Sequence, residues 1–207
     1  MIINAAAIII GYLLGSIPSA YIITRLLAGK DIRQLGSGNI GALNVSRVVG
    51  RKAGIAVFLA DAGKGVAVVA IATWVLGVPG ELFTLLAALA AAVGHMWSAF
   101  LRFSGGRGMA TVFGILIIFM PLYGYQLEFW ILLGVLFVSL MVTHRNFALS
   151  MIAGLISLPI STWFVDKSWP FIAVSVALLV LVVLKTLPIA RAAWARSRSV
   201  KDFIRGQ

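Results

Sequence analysis

The chain has 207 residues, of which 61% are hydrophobic and 11% charged, and its mean hydropathy is +1.06. A soluble domain of this length has too little interior for so much apolar surface, which indicates that the solvent is a lipid bilayer. Seventeen Lys and Arg against six Asp and Glu give a formal net charge of +11. In a membrane protein, an excess of basic residues more often reflects the orientation of the spans, or binding of anionic lipids or substrates, than binding of nucleic acid. We therefore expect no nucleic-acid partner. The chain has no cysteine, which excludes disulfides, thiolate metal sites and a thioester-forming nucleophile.

Apolar runs of about 20 residues, the length that crosses the hydrocarbon layer, recur along the chain. They predict an all-α fold, an integral membrane bundle of about seven transmembrane helices, with one domain over residues 1–207. The predicted spans are residues 3–28, 54–78, 82–101, 110–123, 127–143, 147–165 and 169–187. The first run has neither a basic n-region nor an obvious cleavage site, so we interpret it as a retained span rather than a signal peptide.

The distribution of charge predicts how these spans are oriented. If the N-terminus is outside, sixteen of the seventeen basic residues lie on the inner side. These are Arg25, Lys30, Arg33, Arg47, Arg51, Lys52, Lys64, Arg102, Arg107, Arg145, Lys185, Arg191, Arg196, Arg198, Lys201 and Arg205. Only Lys167 lies outside, together with Glu81, Glu128 and Asp166. The positive-inside rule therefore predicts an outside N-terminus and a cytoplasmic C-terminus.

Residues 35–44, LGSGNIGALN, contain a match to the dinucleotide-binding pattern G-x-G-x-x-G. That pattern is meaningful only after a β-strand, and here an apolar membrane run precedes it, so the dinucleotide interpretation fails. Glycine-rich loops also form concavities of backbone N–H groups that bind anions. The residues that would contribute are Gly36, Ser37, Gly38, Asn39, Asn44 and Arg47.

A second set of polar residues falls on the same predicted side of the membrane. It comprises Asp61 and Lys64 in DAGKG, His95, and a second glycine loop with Gly105, Gly106 and Arg107. Two glycine loops with fixed cations predict a site for one or two phosphates at the membrane surface. Neither loop is a P-loop, because G-x-x-x-x-G-K-[ST] is absent.

Plainer interpretations of these residues stay open. The glycines are also typical of helix caps and of points where helices pack closely, and the G-x-x-x-G of Gly11 and Gly15 receives little weight because this pattern is common in apolar segments. Asp61 and Lys64 lie at positions i and i+3, where a local ion pair forms readily. Arg51 and Lys52 are typical of topology anchors, His95 of a helix-end residue bonded to a carbonyl, and the tail arginines of lipid-headgroup contacts.

The order GSxP…GSGNxGAxNVxR…DxxKG…GHxWxxFxxFxGGxGxAT resembles the bacterial acyl-phosphate:glycerol-3-phosphate acyltransferases. The matching segments are Gly15–Pro18, Gly36–Arg47, Asp61–Gly65 and Gly94–Thr111. The resemblance implies a seven-span enzyme of the bacterial plasma (inner) membrane with its site facing the cytoplasm. It implies transfer of an acyl chain from acyl phosphate to the 1-hydroxyl of glycerol 3-phosphate, which gives lysophosphatidate and phosphate in phospholipid biosynthesis.

The resemblance also implies roles for individual residues. The catalytic set would be Ser37, Arg47, His95 and Arg107, where Arg107 replaces the lysine of the family's GGKG. Substrate and phosphate binding would fall to Gly36, Gly38, Asn39, Asn44, Lys64, Gly105 and Gly106. We expect no cofactor and no metal, because acyl phosphate is already activated; membrane lipids are the expected surroundings, and the sequence identifies no protein partner.

The family's third motif, H-R-x-N-I-x-R-L near the end of the last span, is not matched. The best alignment leaves only Ile189 and Arg191 in place, with Lys185 for the histidine and Pro188 for the asparagine. This departure motivates an alternative, a divergent paralogue that binds a phosphorylated acceptor with altered or lost acyl transfer. A transporter is a further alternative, disfavoured because the spans carry almost no charge at mid-depth.

Overall fold

The structure is a computed structural model that describes residues 1–142, 147–165 and 168–196. Three segments used in the topology prediction lie outside the described residues: the polar turn His144-Arg145-Asn146, the pair Asp166 and Lys167, and the tail beyond Arg196. Within the described residues the chain is helical, and its only strand-like feature is an isolated antiparallel bridge between Ser98 and Ser104.

Nine α-helices account for most of the described residues, and two single 3₁₀ turns, Ile32–Gln34 and Ala99–Leu101, lie between them. The helices are α1 Ile2–Ser16, α2 Ser19–Ala28, α3 Ala42–Val48, α4 Arg51–Ala70, α5 Gly80–Met96, α6 Met109–Leu122, α7 Gln126–Val142, α8 Phe147–Phe164 and α9 Trp169–Arg196. A π-helical turn, Ile71–Val75, continues α4.

The all-helical prediction is confirmed for the described residues, and each predicted span falls on a helix. Three stretches are long and apolar enough to cross a membrane by length and composition: Ile2–Ala28, Arg51–Val75 and Trp169–Pro188. Four shorter apolar helices are Gly80–Met96, Met109–Leu122, Gln126–Val142 and Leu149–Phe164. The count of seven crossings and the orientation of the termini stay predictions.

The first predicted span is two helices rather than one. α1 ends at Ser16 and α2 begins at Ser19, because Pro18 has no N–H to donate and excludes the preceding residue from helical geometry. Ile17 accordingly has φ −56° and ψ 117°. α2 then ends at Gly29, whose φ of +65° is the left-handed conformation that glycine adopts readily at a helix end. The break exposes the last carbonyls of α1 to other partners.

α1 packs closely against α5, and glycines make the close approach possible. A methyl group on Gly11 would collide with the backbone of Ala87, and one on Gly15 with the backbone of Ala91. Gly94, near the end of α5, is in the same way pressed against α1. The low weight given to the G-x-x-x-G of α1 in the sequence analysis was therefore wrong, because small residues let these helix backbones touch. The contact holds the end of α1 beside the end of α5.

The chain forms two compact units, Met1–Phe119 and Met120–Gln207. In the second unit α7, α8 and α9 pack together, and Tyr125 stacks on Phe171 with ring centroids 4.2 Å apart. Both glycine loops and all the residues proposed for the site lie in the first unit. The one-domain prediction concerns the arrangement of the two units and stays a prediction.

Candidate active site

The first glycine loop is organised by a single side chain, the amide of Asn44 on α3. Its Oδ1 accepts a hydrogen bond from the Ser37 N–H at 3.0 Å, and its Nδ2 donates to the carbonyls of Leu35 at 2.9 Å and Asn39 at 3.0 Å. Asn44 is 3% exposed, so these three bonds use an amide that water cannot satisfy. Asn44 thus fixes the shape of the loop.

Gly36 and Gly38 allow the loop to turn. Their φ angles are +57° and +70°, in the left-handed region that a residue with a Cβ rarely enters. The sequence analysis expected consecutive free amides here, and that expectation is wrong for three of them. The N–H groups of Ser37, Gly38 and Gly41 all donate to acceptors within the segment itself, to Asn44 Oδ1 and to the carbonyls of Leu35 and Asn39. The exposed residues of the loop are Gly36 and Ser37.

The second glycine loop lies against the end of α5. The Gly106 N–H donates to the His95 carbonyl at 3.1 Å, and a Cβ on Gly105 or Gly106 would collide with His95 or Met96. The close-packing interpretation is therefore correct for these two glycines, and the Gly106 amide is not free for an anion. The tight fit leaves Arg107, the next residue, half-buried.

Arg47 and Arg107 lie close enough for their positive charges to interact. Burial, and then the nearby positive charge of Arg47, lower the pKa of Arg107 from its usual value. Within the described part of the chain neither guanidinium belongs to an ion pair, and Arg107 Nε is buried without a hydrogen-bond partner. Two like charges held near each other without a carboxylate are stabilised when an anion binds between them. The structure thus places residues 47 and 107 near each other, and their binding of phosphate stays a prediction.

Lys64 has a different environment from the one expected of a phosphate ligand. Its Nζ lies 2.8 Å from Asp61 Oδ1 and donates to the Ile17 carbonyl at 2.7 Å, and the side chain is 8% exposed. The local ion pair considered from the sequence is therefore present. Lys64 fastens α4 to the break between α1 and α2.

His95 completes this buried group. Its Nδ1 lies 3.7 Å from Asp61 Oδ1, and its Nε2 faces Gly106 of the second glycine loop. Asp61, 2% exposed, is thus shared between a lysine and a histidine on two helices. The sequence analysis named Asp61 among the polar residues on this side of the membrane but assigned it no catalytic or binding role.

A small pocket lies between the break that joins α1 to α2, the helix α4, the end of α5 and the second glycine loop. It is lined by Gly15, Ser16, Ile17, Pro18, Ser19, Ala20, Ile40, Asp61, Lys64, His95, Ser98, Leu101, Gly105 and Gly106. Four of the expected site residues are therefore gathered here, whereas Ser37, Arg47 and Arg107 do not line the pocket. Ser98 Oγ donates to the Ser16 carbonyl at 2.5 Å and so holds the end of α1 in place. Ser16 and Ser98 were missed by sequence reasoning, because the bond joins residues 82 positions apart.

The chain resembles known proteins over nearly its whole length. Residues 5–193 match the family described as glycerol-3-phosphate acyltransferase. A relative in Dehalococcoides mccartyi, glycerol-3-phosphate acyltransferase 1, is 41% identical over 86% of this chain and 85% of its own length.

Two crystal structures have the same fold, both of PlsY (YgiH), an integral membrane glycerol 3-phosphate acyltransferase. The glycerol 3-phosphate form has a TM-score of 0.79 and 28% identity over 94% of each chain. The lysophosphatidic acid form has a TM-score of 0.77 and 27% identity over 99% of each chain. The matched range, the identity and the shared fold agree, and the chain is a membrane protein that belongs to the glycerol-3-phosphate acyltransferase family.

Proposed function

We propose that the protein transfers an acyl group from acyl phosphate to the 1-hydroxyl of glycerol 3-phosphate. The products would be lysophosphatidate and inorganic phosphate, and the reaction would serve phospholipid biosynthesis. The observation that carries this proposal is the arginine pair, Arg47 and Arg107, with its nearby positive charges and no carboxylate partner in the described part of the chain. The names of the two similar crystal structures, which mention glycerol 3-phosphate and lysophosphatidic acid, support the same acceptor and product.

The chemistry needs little beyond placement and charge. The 1-hydroxyl oxygen attacks the carbonyl carbon of the acyl phosphate, the new ester C–O bond forms, and the bond from that carbon to the phosphate oxygen breaks. Phosphate leaves with the electron pair, and the hydroxyl proton passes to His95 or to a phosphate oxygen of a substrate. Because the mixed anhydride is already activated, a chain without cysteine suffices. Holding the two anionic substrates close together, with the hydroxyl aligned on the carbonyl carbon, supplies much of the rate enhancement.

In this proposal Arg47 and Arg107 bind the phosphate groups, and the exposed residue Ser37 contacts the acceptor. Gly36 and Asn39, from the same loop, would lie beside the bound acceptor. We assign Asn44 and Lys64 to positioning, because their polar atoms are already bonded to the first loop and to the α1–α2 break. Gly38, Gly105 and Gly106 would shape the loops that carry the binding groups.

The proposed setting is the bacterial plasma (inner) membrane. Seven crossings would place the N-terminus outside, the C-terminus in the cytoplasm, and both glycine loops at the cytoplasmic surface, where glycerol 3-phosphate dissolves. The positive-inside distribution supports this orientation. The acyl phosphate, an amphiphile, would come from the lipid phase, and no cofactor or metal is required.

The unmatched third motif favours a second candidate, a paralogue with another phosphorylated acceptor or without turnover. Lys185 and Pro188 stand where the family has histidine and asparagine, and Pro188 lies inside α9. Such a protein would keep the arginine pair and bind glycerol 3-phosphate or a related phosphorylated polyol.

Phosphate release by purified protein in lipid nanodiscs separates the two candidates. With palmitoyl phosphate as donor, we expect phosphate to appear only when glycerol 3-phosphate is added, together with lysophosphatidate detected by mass spectrometry. The Arg47→Ala variant serves as the matched negative control. Binding of glycerol 3-phosphate without product would favour the paralogue, and neither binding nor product in a folded sample would contradict both.

A further inference from the structure

The segment Ala99–Ser104, here named the aromatic loop, joins the end of α5 to the second glycine loop. It is closed on itself: the Phe103 N–H donates to the Ser98 carbonyl at 2.8 Å, and the Ser98 N–H donates to the Ser104 carbonyl at 3.3 Å. The Ser104 N–H donates to the Leu101 carbonyl at 3.1 Å. The loop therefore has a defined shape rather than that of an open tether.

Within this shape the apolar residues point in two directions. Leu101 is 7% exposed and packs in a core cluster with Ala20, Ile32 and Ile40. Phe100 and Phe103, in contrast, are 60% and 66% exposed, and the exposed Arg102 lies between them. One leucine thus anchors the loop to the protein, while two aromatic rings and a cation face outward.

Two of the outward-facing residues, Arg102 and Phe103, have an unusual backbone conformation. Arg102 and Phe103 have φ angles of +54° and +59°, a left-handed conformation that non-glycine residues adopt at a free-energy cost of about 1–3 kcal/mol each. Such a conformation persists only when surrounding contacts fix it, and it often marks a functional surface. Here the left-handed conformation occurs at Phe103 and at Arg102, both of which are exposed.

The length of α5 determines the depth at which the loop lies. α5 has 17 residues, which at about 1.5 Å per residue gives roughly 25 Å, less than the hydrocarbon thickness of about 30 Å. A span that is too short brings its flanking residues to the interface, where aromatic rings are favoured and arginine reaches the headgroups. The residues that directly follow α5 are those of the aromatic loop.

We propose that the aromatic loop docks into the headgroup–acyl boundary of the bilayer, with Phe100 and Phe103 in the lipid and Arg102 on anionic phospholipid headgroups. Because the second glycine loop follows immediately, docking holds Arg107 at the depth where the head of a phosphorylated amphiphile lies. The acyl donor then reaches Arg107 by moving within the leaflet. This last step rests on the proposed function; the docking itself does not.

Single cysteines can test the docking directly, because the chain has none of its own. We would label Phe103→Cys and Leu59→Cys with a fluorophore and reconstitute each in vesicles of phosphatidylcholine and phosphatidylglycerol. Leu59 is 62% exposed near the middle of α4 and serves as the matched reference for the hydrocarbon. Lipids that carry a quencher in the headgroup or deep in the acyl chain then report the depth of each label.

The proposal predicts stronger quenching of the 103 label by the headgroup quencher and of the 59 label by the deep quencher. A 103 label that responds to aqueous iodide but to neither lipid quencher would overturn the docking. A 103 label with the same depth as the 59 label would also overturn it. Neither result depends on enzymatic activity, so failure of the docking is distinguishable from failure of the proposed function.

A kinetic experiment tests the access route. In the variant Phe100→Ser/Phe103→Ser we expect KM for palmitoyl phosphate to rise roughly fivefold, with KM for glycerol 3-phosphate unchanged, because lost apolar contact with lipid affects the amphiphile alone. Phe164→Ser, a change at a 78% exposed phenylalanine at the end of α8, is the matched control. If the labelling experiment shows that the loop docks, and KM for palmitoyl phosphate is nevertheless unchanged in the double variant, the access route is contradicted.

Discussion

Arg107 is the residue at which burial and like charge act in the same direction. Both lower the pKa of its guanidinium, because both disfavour the charged form. The shift starts from a value so high that the group stays protonated at physiological pH. A bound phosphate would reverse the effect by supplying the missing opposite charge. Arg47 contributes from α3, the helix that follows the first glycine loop, 60 positions away in sequence.

Arg47→Ala and Arg107→Ala should each lower kcat/KM roughly tenfold or more, since a charge-assisted contact is worth about 1.5–3 kcal/mol. Arg107→Lys keeps the charge and restores the family's usual residue, so we expect it to retain most of the activity. Arg51→Ala, at the exposed start of α4, removes the same charge and should be nearly silent. Steady-state kinetics at fixed pH measure all four. Equal losses in every variant would mean that the cations serve topology or lipid binding instead.

The pair Asp61 and Lys64 illustrates a second effect at this scale, the dependence of one buried charge on another. Replacing only one partner leaves an uncompensated charge in a dry environment, which destabilises a protein by about 3–5 kcal/mol. We therefore expect Asp61→Asn to lower the melting temperature in detergent markedly. Asp61→Asn/Lys64→Met, which removes both charges, should recover at least half of that loss. A double variant no more stable than the single one would show that the Lys64 contact with Ile17, and not charge pairing, dominates.

At the scale of elements, the first glycine loop and α3 behave as one piece held by Asn44. Asn44→Ala would leave the Ser37 N–H and the carbonyls of Leu35 and Asn39 without their partners. Because Ser37 is exposed and Leu35 and Asn39 are partly exposed, water can reach the freed backbone groups at little cost to the helices, but the loop loses its fixed shape. We expect KM for glycerol 3-phosphate to rise roughly tenfold with a small change in melting temperature. A large fall in melting temperature with KM unchanged would contradict this role.

The contact between α1 and α5 depends on close backbone approach. Gly15→Ala should lower stability by about 1–3 kcal/mol, because the added methyl overlaps the backbone of Ala91. Gly63, on α4, has nothing near the position of an added Cβ, so Gly63→Ala is the matched control. The control should be neutral or stabilising by about 0.5–1 kcal/mol, because alanine favours the helix. Thermal unfolding in detergent compares them, and equal effects would refute the packing argument.

At the scale of the whole molecule, the distribution of charge predicts how the spans cross the membrane. The absence of cysteine makes Pro79→Cys and Lys52→Cys clean reporters, since both positions are exposed. An impermeant maleimide should label position 79 in intact cells and position 52 only after the membrane is opened, because the basic side is expected inside. The reverse pattern would invert the topology, and labelling of both positions in intact cells would contradict an odd number of crossings between them.

Most of the helices could be predicted from the sequence, because the bilayer imposes a local rule. Each span must be apolar along its whole length and satisfy its own backbone hydrogen bonds, so hydropathy alone finds it. The arginines and glycine loops were also recognisable, since residue type and spacing carry their chemistry. The break at Pro18 carried a local signal too, but the apolar run on both sides of it concealed the two helices α1 and α2.

Only the tertiary structure decided which polar groups are free to act. Sequence spacing cannot reveal that the Lys64 ammonium is bonded to the Ile17 carbonyl, 47 positions away, or that the Gly106 amide is bonded to the His95 carbonyl. It could propose Arg47 and Arg107 together, but not that Arg107 Nε is buried without a hydrogen-bond partner or that neither guanidinium belongs to an ion pair in the described residues. The reason is physical: hydropathy and motif spacing follow from neighbouring residues, whereas the satisfaction of a buried donor or charge depends on distant residues that packing brings into contact.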